Sequence, residues 1–180
     1  MTAAIGTGAN ERLDTPRLVL RRPNAGDWPA ARDFFMSDRS VGVGGPYELG
    51  RSWTVFAAEI GHWEIFGYGM WAVTLRGEET AIGLIGPWSP ASWPETEIGW
   101  TIWSPEMEGT GIATEAARAA IAHAWNVLGW ETIVSYISPD NSRSIRLAEK
   151  LGASLDEGAT PPPLNKPTLV YRHPRPEGAQ

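Results

Sequence analysis

The sequence predicts one α/β domain of the α+β type, in which a mixed, mostly antiparallel central sheet of about six to seven strands is flanked by about four helices. Three observations lead to this prediction. The chain has 180 residues, the size of a single domain. Segments with strand-like alternation are interspersed with segments of helical period. Three strand-like segments follow one another with only short connections, which favours an antiparallel meander.

The strands are predicted from alternating or β-branched runs that end at glycine, proline or charged turns. Six segments have this pattern, and they are residues 17–22, 70–76, 81–88, 95–103, 132–138 and 168–173. A further short strand fits residues 153–156, which is why the expected number is six to seven.

The helices are predicted from apolar residues that recur at helical spacing. Four segments have this spacing, and they are residues 25–37, 49–67, 109–128 and 140–152. The third is the most regular, with a stripe formed by Ala113, Ala117, Ala120, Ala124 and Leu128. Gly67, Gly129 and Gly152 stand where the last three helices should end, as expected for residues that adopt left-handed backbone conformations easily.

Composition excludes several classes of function. The chain has no cysteine, which excludes disulfides, thiolate catalysis and cysteine-ligated zinc. Its net charge of −6 argues against a nucleic-acid surface. His62, His123 and His173 lack the spacing of metal ligands, so no metal is expected.

Terminal segments and membrane signals complete the predicted organisation. Residues 1–14 are expected to be a flexible segment, residues 15–173 the single domain, and residues 174–180 a tail. The start of the chain lacks the charged and apolar regions of a signal peptide, and the apolar runs are too short to span a membrane. We therefore expect a cytoplasmic protein that does not act at a membrane.

The stretch EGTGIATEA, residues 108–116, predicts a backbone that is shaped to receive an anion. Glycines between a strand and a helix leave N–H groups free, and the helix dipole places partial positive charge there. A dinucleotide fingerprint is absent because Thr114 stands where its third glycine should be, and no Gly-Lys-Ser/Thr triplet of a Walker loop occurs. For the loop alone, a phosphate receptor and an ordinary turn remain alternatives.

More of the chain bears on this choice. GTGIATEAARAAIAHAWNVLGW (109–130), followed by a strand and then by SPDNSRSIRLAEKLGA (138–153), resembles the acyl-CoA-binding half of the GNAT superfamily of N-acetyltransferases. TPRLVLRR (15–22) and the strand ending in EIGW (97–100) resemble the branch similar to bacterial ribosomal-protein N-terminal acetyltransferases. The resemblance covers roughly residues 15–173. It implies a GNAT-like fold and acetyl-CoA as cosubstrate.

The resemblance also implies which residues bind coenzyme A. The family loop has Gln or Arg, two variable residues, Gly, one variable residue, then Gly or Ala, and the positions here are Glu108, Gly109, Thr110, Gly111, Ile112 and Ala113. Since an acidic first residue would repel a pyrophosphate, we expect Glu108 to turn to solvent and the backbone amides from Gly109 to Thr114 to bind. Backbone N–H groups around Ile102 and Trp103 are expected to pair with the pantetheine arm and to polarise the thioester.

The resemblance places a general base on the strand at 95–103. Glu97 matches the family position, and Glu95 lies two residues earlier on the same face if pairing is regular. A solvated glutamate at the edge of a strand is the alternative interpretation.

At the start of the fourth helix, Asn141 matches a family asparagine that is expected to touch the cofactor, and Ser144 matches a serine expected to protonate the leaving thiolate. Their alternative roles are a helix cap and a bond to the backbone of the first turn. Trp53, Trp63 and Tyr68 could line the acceptor pocket, although each could equally pack in the core.

The sequence thus predicts an enzyme that transfers an acetyl group from acetyl-CoA to a primary amine by direct attack in a ternary complex. The acceptor is expected to be a small-molecule amine or a protein N-terminus, and the enzyme a monomer or homodimer. The alternative is a binding module that retains the coenzyme A site without catalysis, for which the unusual Glu108 is the indication.

Overall fold

The computed structural model describes residues 11–175. Eight strands form its sheet, and they are β1 Arg12–Asp14, β2 Leu18–Arg21, β3 Trp71–Leu75, β4 Gly83–Trp88, β5 Glu97–Ile102, β6 Val134–Ile137, β7 Ser154–Leu155 and β8 Leu169–Arg172. Four α-helices accompany them, and they are α1 Trp28–Phe35, α2 Leu49–Phe66, α3 Ile112–Asn126 and α4 Ser142–Lys150. Three short 3-10 helices occur at Ala25–Asp27, Asp38–Val43 and Pro105–Met107.

The predicted fold class is confirmed. The sheet has the order β1-β2-β3-β4-β5-β6-β8-β7, and every neighbouring pair is antiparallel except β5 and β6. The predicted meander is the run β3-β4-β5, which is joined by short connections as expected.

Two details of the fold differ from the prediction. Residues 12–14 were assigned to the flexible segment, but they form β1 and pair with β2, with Leu13 opposite Leu20. Three residues are too few to show alternation in a sequence, so only the pairing identifies this strand. The 3-10 helix Asp38–Val43 lies between the predicted helices at 25–37 and 49–67, where no regular element is predicted. The remainder of the predicted terminal segments, residues 1–10 and 176–180, lies outside the described residues.

Helices cover both faces of the sheet. Leu84 and Ile85 are neighbours on β4, so their side chains point to opposite faces. Ile85 packs with the α3 stripe in one buried cluster, whereas Leu84 packs with aromatic residues of α1 and α2 in another. The fully buried members of the α3 stripe are Ala117, Ala120 and Ala124, and the neighbouring Ala116 is fully buried as well. Because alanine is small, α3 lies close against the sheet.

The middle of the sheet opens between β5 and β6. These parallel strands are in register only at Glu97 and Val134, where the Val134 N–H bonds to the Thr96 carbonyl at 3.0 Å. Beyond that point β5 continues along β4 as far as Ile102, while β6 continues along β8. The two strands therefore part, and the backbone groups on the facing edges lose their ladder partners.

Candidate active site

The loop that leads into α3 forms one side of the opening. Gly109 and Gly111 have φ values of 74° and 84°, which lie in the left-handed region that glycine adopts without strain. The first bond of α3 runs from the Glu115 N–H to the Gly111 carbonyl at 3.0 Å. The amides of residues 112–114 precede that bond and have no acceptor within the helix. The loop thus presents N–H groups at the positive end of the helix dipole.

Arg17 fixes the position of this loop. Its Nη1 donates to the Thr110 carbonyl at 3.0 Å, and its Nε donates to Glu115 in the first turn of α3 at 2.6 Å. Thr15 donates to the same Glu115 carboxylate at 2.6 Å. The turn between β1 and β2 therefore holds the glycine loop, a role for Arg17 that sequence reasoning missed because the partners lie more than 90 residues apart.

Glu108 is exposed as a residue, but its carboxylate does not turn freely to solvent as expected. One oxygen accepts from Arg39 Nη2 at 2.6 Å, and the other accepts from Arg143 Nη1 at 2.6 Å. Two arginines from separate segments thus bracket the acidic side chain at the mouth of the opening. The spacing of these residues in the sequence gives no signal of the pairing.

At the end of β5, one of the two predicted backbone donors, the Trp103 N–H, is not available to a ligand. The Trp103 N–H bonds to the Ile82 carbonyl within the sheet at 2.7 Å, so it is not free for a ligand. Backbone groups alternate sides along a strand, and the Ile102 N–H consequently points away from β4, towards the opening. The Ile102 and Trp103 carbonyls accept from Arg39 at 3.0 Å and 2.7 Å.

Glu97 lies where the two strands begin to part. Trp93 Nε1 donates to its Oε2 at 2.6 Å, and the Tyr136 N–H, released from the ladder with β5, donates to the same carboxylate. Glu97 retains partial solvent exposure, so an acceptor can reach it. The surrounding protein nevertheless desolvates the carboxyl group and raises its pKa to about 7, against the two hydrogen bonds that lower it.

Glu95 has a different environment from Glu97. Its two carboxylate oxygens accept from Arg172 at 2.7 and 2.9 Å, and Thr132 donates to it at 2.9 Å. The hydrogen bonds from Arg172 are the main cause that lowers the pKa of Glu95. Glu95 thus joins the segment before β5 to β8 and is a poor proton acceptor near neutral pH.

Ser144 and Asn141 lie at the start of α4. Asn141 caps this helix, since its Oδ1 accepts from the Ser144 N–H at 3.1 Å. The Ser144 hydroxyl oxygen accepts from Trp100 Nε1 of β5 at 3.1 Å. Because that bond uses only a lone pair, the hydroxyl hydrogen of Ser144 remains available to a further acceptor.

Glu59 on α2 is a carboxyl that sequence reasoning missed. The residue is 8 % exposed, and its Oε2 has no hydrogen-bond partner within residues 11–175. Burial, together with the charge of nearby Glu97, raises the pKa of Glu59 to about 8. Its only sequence signal was its place on a helix whose neighbouring aromatic residues were expected to line a pocket.

The three aromatic residues considered for the lining of the acceptor pocket lie in different environments in the structure. Trp63 belongs to the core, where it is 3 % exposed and donates to the Met70 carbonyl at 2.9 Å. Tyr68 packs edge-on against Trp130, and Trp53 is exposed on the outer side of α2.

Within the described part of the chain no cluster of three or more potential ligands could hold a metal ion, and no helix there meets the length and hydropathy of a membrane span.

The buried Glu59 makes stability depend on pH in a defined direction. The folded state keeps this carboxyl protonated up to about pH 8, whereas the unfolded chain releases the proton above about pH 4.5. Native stability therefore falls as pH rises through this window. We expect Glu59→Gln to remove this loss, so that its melting temperature, measured by circular dichroism, gains on the wild type between pH 5 and 9 by an amount equivalent to a few kcal/mol.

Glu64→Gln is the matched control, because Glu64 lies on the same helix with its side chain 71 % exposed, paired with Arg22. Its difference from the wild type should stay small and flat over the same pH range. An equally flat difference for Glu59→Gln would show that Glu59 is not held in its protonated form.

The comparisons with known proteins agree with this architecture. The sequence matches the profile of the acetyltransferase (GNAT) domain family over residues 17–154. An uncharacterized N-acetyltransferase of Bacillus subtilis, YnaD, is 31% identical over 80 residues, which are 44% of this chain and 46% of that protein. A second Bacillus subtilis protein, YkkB, is 37% identical over 75 residues, which are 42% of each chain. The chain thus matches these two curated relatives over less than half of their length.

Solved structures match over nearly the whole chain. The acetyltransferase from Agrobacterium tumefaciens strain C58 is 41% identical, with a TM-score of 0.84 over 91% of this chain and 94% of that one. A ribosomal L7/L12 α-N-protein acetyltransferase in complex with coenzyme A is 15% identical, with a TM-score of 0.68 over 90% and 96% of the chains, and this likeness concerns the fold. Since the family profile covers more than half of the sequence, the chain belongs to the GNAT family of acetyltransferases.

Proposed function

We propose that the protein transfers an acetyl group from acetyl-CoA to a primary amine by direct attack in a ternary complex. One observation carries this proposal: the opening between β5 and β6 has an anion-binding loop on one side and, at its root, Glu97, whose burial raises its pKa to about 7. Coenzyme A laid into this opening would have its pyrophosphate at the loop and its thioester near Glu97. The acceptor is a small-molecule amine or a protein N-terminus.

The pyrophosphate binds to the backbone amides from Gly109 to Thr114. Glu108 does not prevent this, because Arg39 and Arg143 both pair with its carboxylate and offset its negative charge. The argument for a non-catalytic binding module therefore loses its one indication. Both arginines are also placed to approach a phosphate once coenzyme A is bound.

The thioester is oriented by the edge of β5. The Ile102 N–H points into the opening, where it can pair with the pantetheine arm in place of the missing strand partner. Backbone donors further along this edge polarise the thioester carbonyl and stabilise the charge that develops on its oxygen.

The reaction includes one proton transfer at the acceptor amine and one at the leaving thiolate. The acceptor ammonium gives a proton to Glu97, and the neutral amine attacks the acetyl carbon to form a C–N bond. The C–S bond then breaks, and the thiolate takes the hydroxyl proton of Ser144, whose orientation Trp100 fixes. The second proton on the amine nitrogen leaves to solvent, which also reprotonates Ser144, and the products are an N-acetyl amine and coenzyme A.

A turnover assay tests the activity directly. Purified protein is incubated with acetyl-CoA and a panel of amines that contains N-terminal peptides, aminoglycosides, polyamines and simple alkylamines, and released thiol is measured. We expect release that depends on one acceptor class. A thermal shift with coenzyme A but no thiol release with any amine would instead identify a binding module.

The loop assignment predicts that Gly111→Val abolishes coenzyme A binding in calorimetry. Valine cannot adopt φ of 84° without strain, and its Cβ would lie 3.4 Å from Nη2 of Arg17, the side chain that holds this loop. Gly77→Val is the matched control, since Gly77 has the same φ of 84° in a turn with open space around it. The Gly77→Val variant should lose a similar amount of stability and keep full affinity for coenzyme A. Unchanged affinity of Gly111→Val for coenzyme A would show that the cofactor does not bind at this loop.

Glu97→Gln should lower the rate at pH 7 by roughly a hundredfold or more, because the amide preserves the shape but cannot accept the ammonium proton. The wild-type rate should rise with pH through about 7, as Glu97 loses its own proton. The variant should recover only at higher pH, where the acceptor arrives neutral, near pH 8 for an α-amino group and near 10 for a lysine.

The pH–rate profile of Glu95→Gln provides the comparison. Glu95 is engaged by Arg172, so its variant should keep the shape of the wild-type profile. A full wild-type rate of Glu97→Gln at pH 7 would place the base elsewhere.

Ser144→Ala should lower turnover by about one to two orders of magnitude with little change in coenzyme A affinity, the range expected for a positioned proton donor. Pre-steady-state measurement of thiol release and calorimetry with coenzyme A separate the two effects. Wild-type turnover would leave Ser144 with its structural role at the start of α4.

A further inference from the structure

Three buried polar atoms of the segments around Glu97 are poorly satisfied. Glu59 Oε2 and Ser89 Oγ have no hydrogen-bond partner within residues 11–175, and Tyr136 Oη approaches the backbone of Glu95 without a well-aligned hydrogen bond. Buried polar atoms of folded proteins are almost always paired. A group of orphaned atoms around one carboxyl therefore indicates a polar ligand that completes their hydrogen bonds.

The strands and α2 bring these atoms together. Trp88 is the register partner of Glu97, so the two side chains lie on the same face of the sheet. The Trp88 ring stacks on His62 of α2 at 4.7 Å, and Glu59 lies three residues before His62, on the same side of the helix. The Ser89 N–H donates to His62 Nε2 at 3.0 Å. Glu59 and Ser89 thus border the face that carries Glu97.

Tyr136 approaches from the other side of Glu97. Its ring stands edge-on to Trp93 at 6.3 Å, and Trp93 is the donor to Glu97. Burial raises the pKa of Tyr136 to about 12, so the phenol keeps its proton and can both accept and donate a hydrogen bond.

Arg172 acts on Tyr136 but is itself paired with Glu95 and Asp156. No arginine or lysine of residues 11–175 forms a salt bridge with Glu59 or Glu97. His62 is neutral, because Nε2 accepts from the Ser89 N–H while Nδ1 donates to the Tyr68 carbonyl at 2.8 Å, and burial lowers its pKa. Glu95, the other acid in the vicinity, is satisfied by Arg172. Two carboxyls without a counter-ion form a site that complements a positive charge, because a bound cation favours the ionised form of Glu59, which otherwise keeps its proton up to about pH 8.

We propose that Glu59 is an acceptor-binding residue that, with Glu97, holds the acceptor as a primary alkylammonium ion. This proposal rests on the proposed function and names the class of its substrate. A strongly basic alkylamine enters charged and donates to the free Oε2 of Glu59. A weakly basic aromatic amine, neutral at pH 7, lacks the charge that this site selects.

The loss of positive charge during acetyl transfer also accounts for release of the acetylated product. The ammonium proton passes to Glu97, the nitrogen forms its bond to the acetyl carbon as the C–S bond breaks, and a second proton leaves the nitrogen, so that the product is a neutral amide. The positive charge that both carboxyls had held is then gone. The acetylated product is consequently bound more weakly than the incoming amine.

A binding experiment tests Glu59 without relying on catalysis. Protein labelled with ¹³C at its glutamate carboxyl carbons is titrated at pH 8 with propylammonium chloride and, separately, with 1-propanol, which has a similar shape and no charge. We expect propylammonium to shift the Glu59 and Glu97 resonances saturably and 1-propanol to leave them unchanged. In Glu59→Gln the Glu97 response should need about 10- to 100-fold more propylammonium, the scale of a lost charge-assisted hydrogen bond.

Kinetics with an amine acceptor supply the second measurement. Glu59→Gln should raise KM for the amine by about 10- to 100-fold and change kcat less than threefold, whereas Glu64→Gln should match the wild type in both. A change in kcat alone, or equal NMR responses of Glu59→Gln and the wild type to propylammonium, would overturn the proposal.

The two proposals fail in different ways. Absence of coenzyme A binding and of thiol release with every amine would refute the proposed function, while the titration would still decide whether Glu59 binds an ammonium ion. A uniform response to propylammonium and 1-propanol would show that the site selects shape and not charge, which refutes the role of Glu59. Folding of Glu59→Gln is checked by melting at pH 6, where both proteins carry a neutral side chain at this position.

Discussion

The parting of β5 from β6 is the constraint on which the rest of the site depends. A continuous sheet would pair every backbone group of β5, whereas here the register ends at Glu97 and Val134. The N–H groups beyond that point face an opening, and the Tyr136 N–H becomes free to bond to the Glu97 side chain. One local departure from regular pairing thus creates both the edge for a ligand and the environment of the carboxyl.

Burial of acidic groups without cations is the second feature that organises the molecule. Glu95 and Glu108 are paired with arginines, as is usual for acids that support a fold. Within residues 11–175 Glu59 and Glu97 have no such partner, and desolvation raises the pKa of each towards or above neutrality. The burial of these two unpaired carboxyls lowers the stability of the folded state, and it does so where the proposed active site needs a proton acceptor and a group that binds a cation.

The glycine loop shows how distant segments determine a site that one motif only indicates. Gly109 and Gly111 allow the backbone turn, and the helix start supplies the amides. Arg17 from the beginning of the domain holds the loop in place. Arg39 and Arg143, from opposite sides of the opening, neutralise the residue that departs from the family pattern.

The sequence by itself determined the order of the main helices and strands, the fold class and the family, because periodicity, glycine positions and the motif from residue 108 to 116 are local properties of the chain. Glu97 and Ser144 were also named from local motifs, and their roles remain predictions. Only the tertiary structure decided that the Trp103 N–H is used within the sheet, that β1 is a strand, and that Glu59 is buried with its Oε2 unpaired within the described residues. Such features depend on contacts between residues far apart in the chain, and whether a carboxyl is paired, solvated or buried is fixed only when those contacts form.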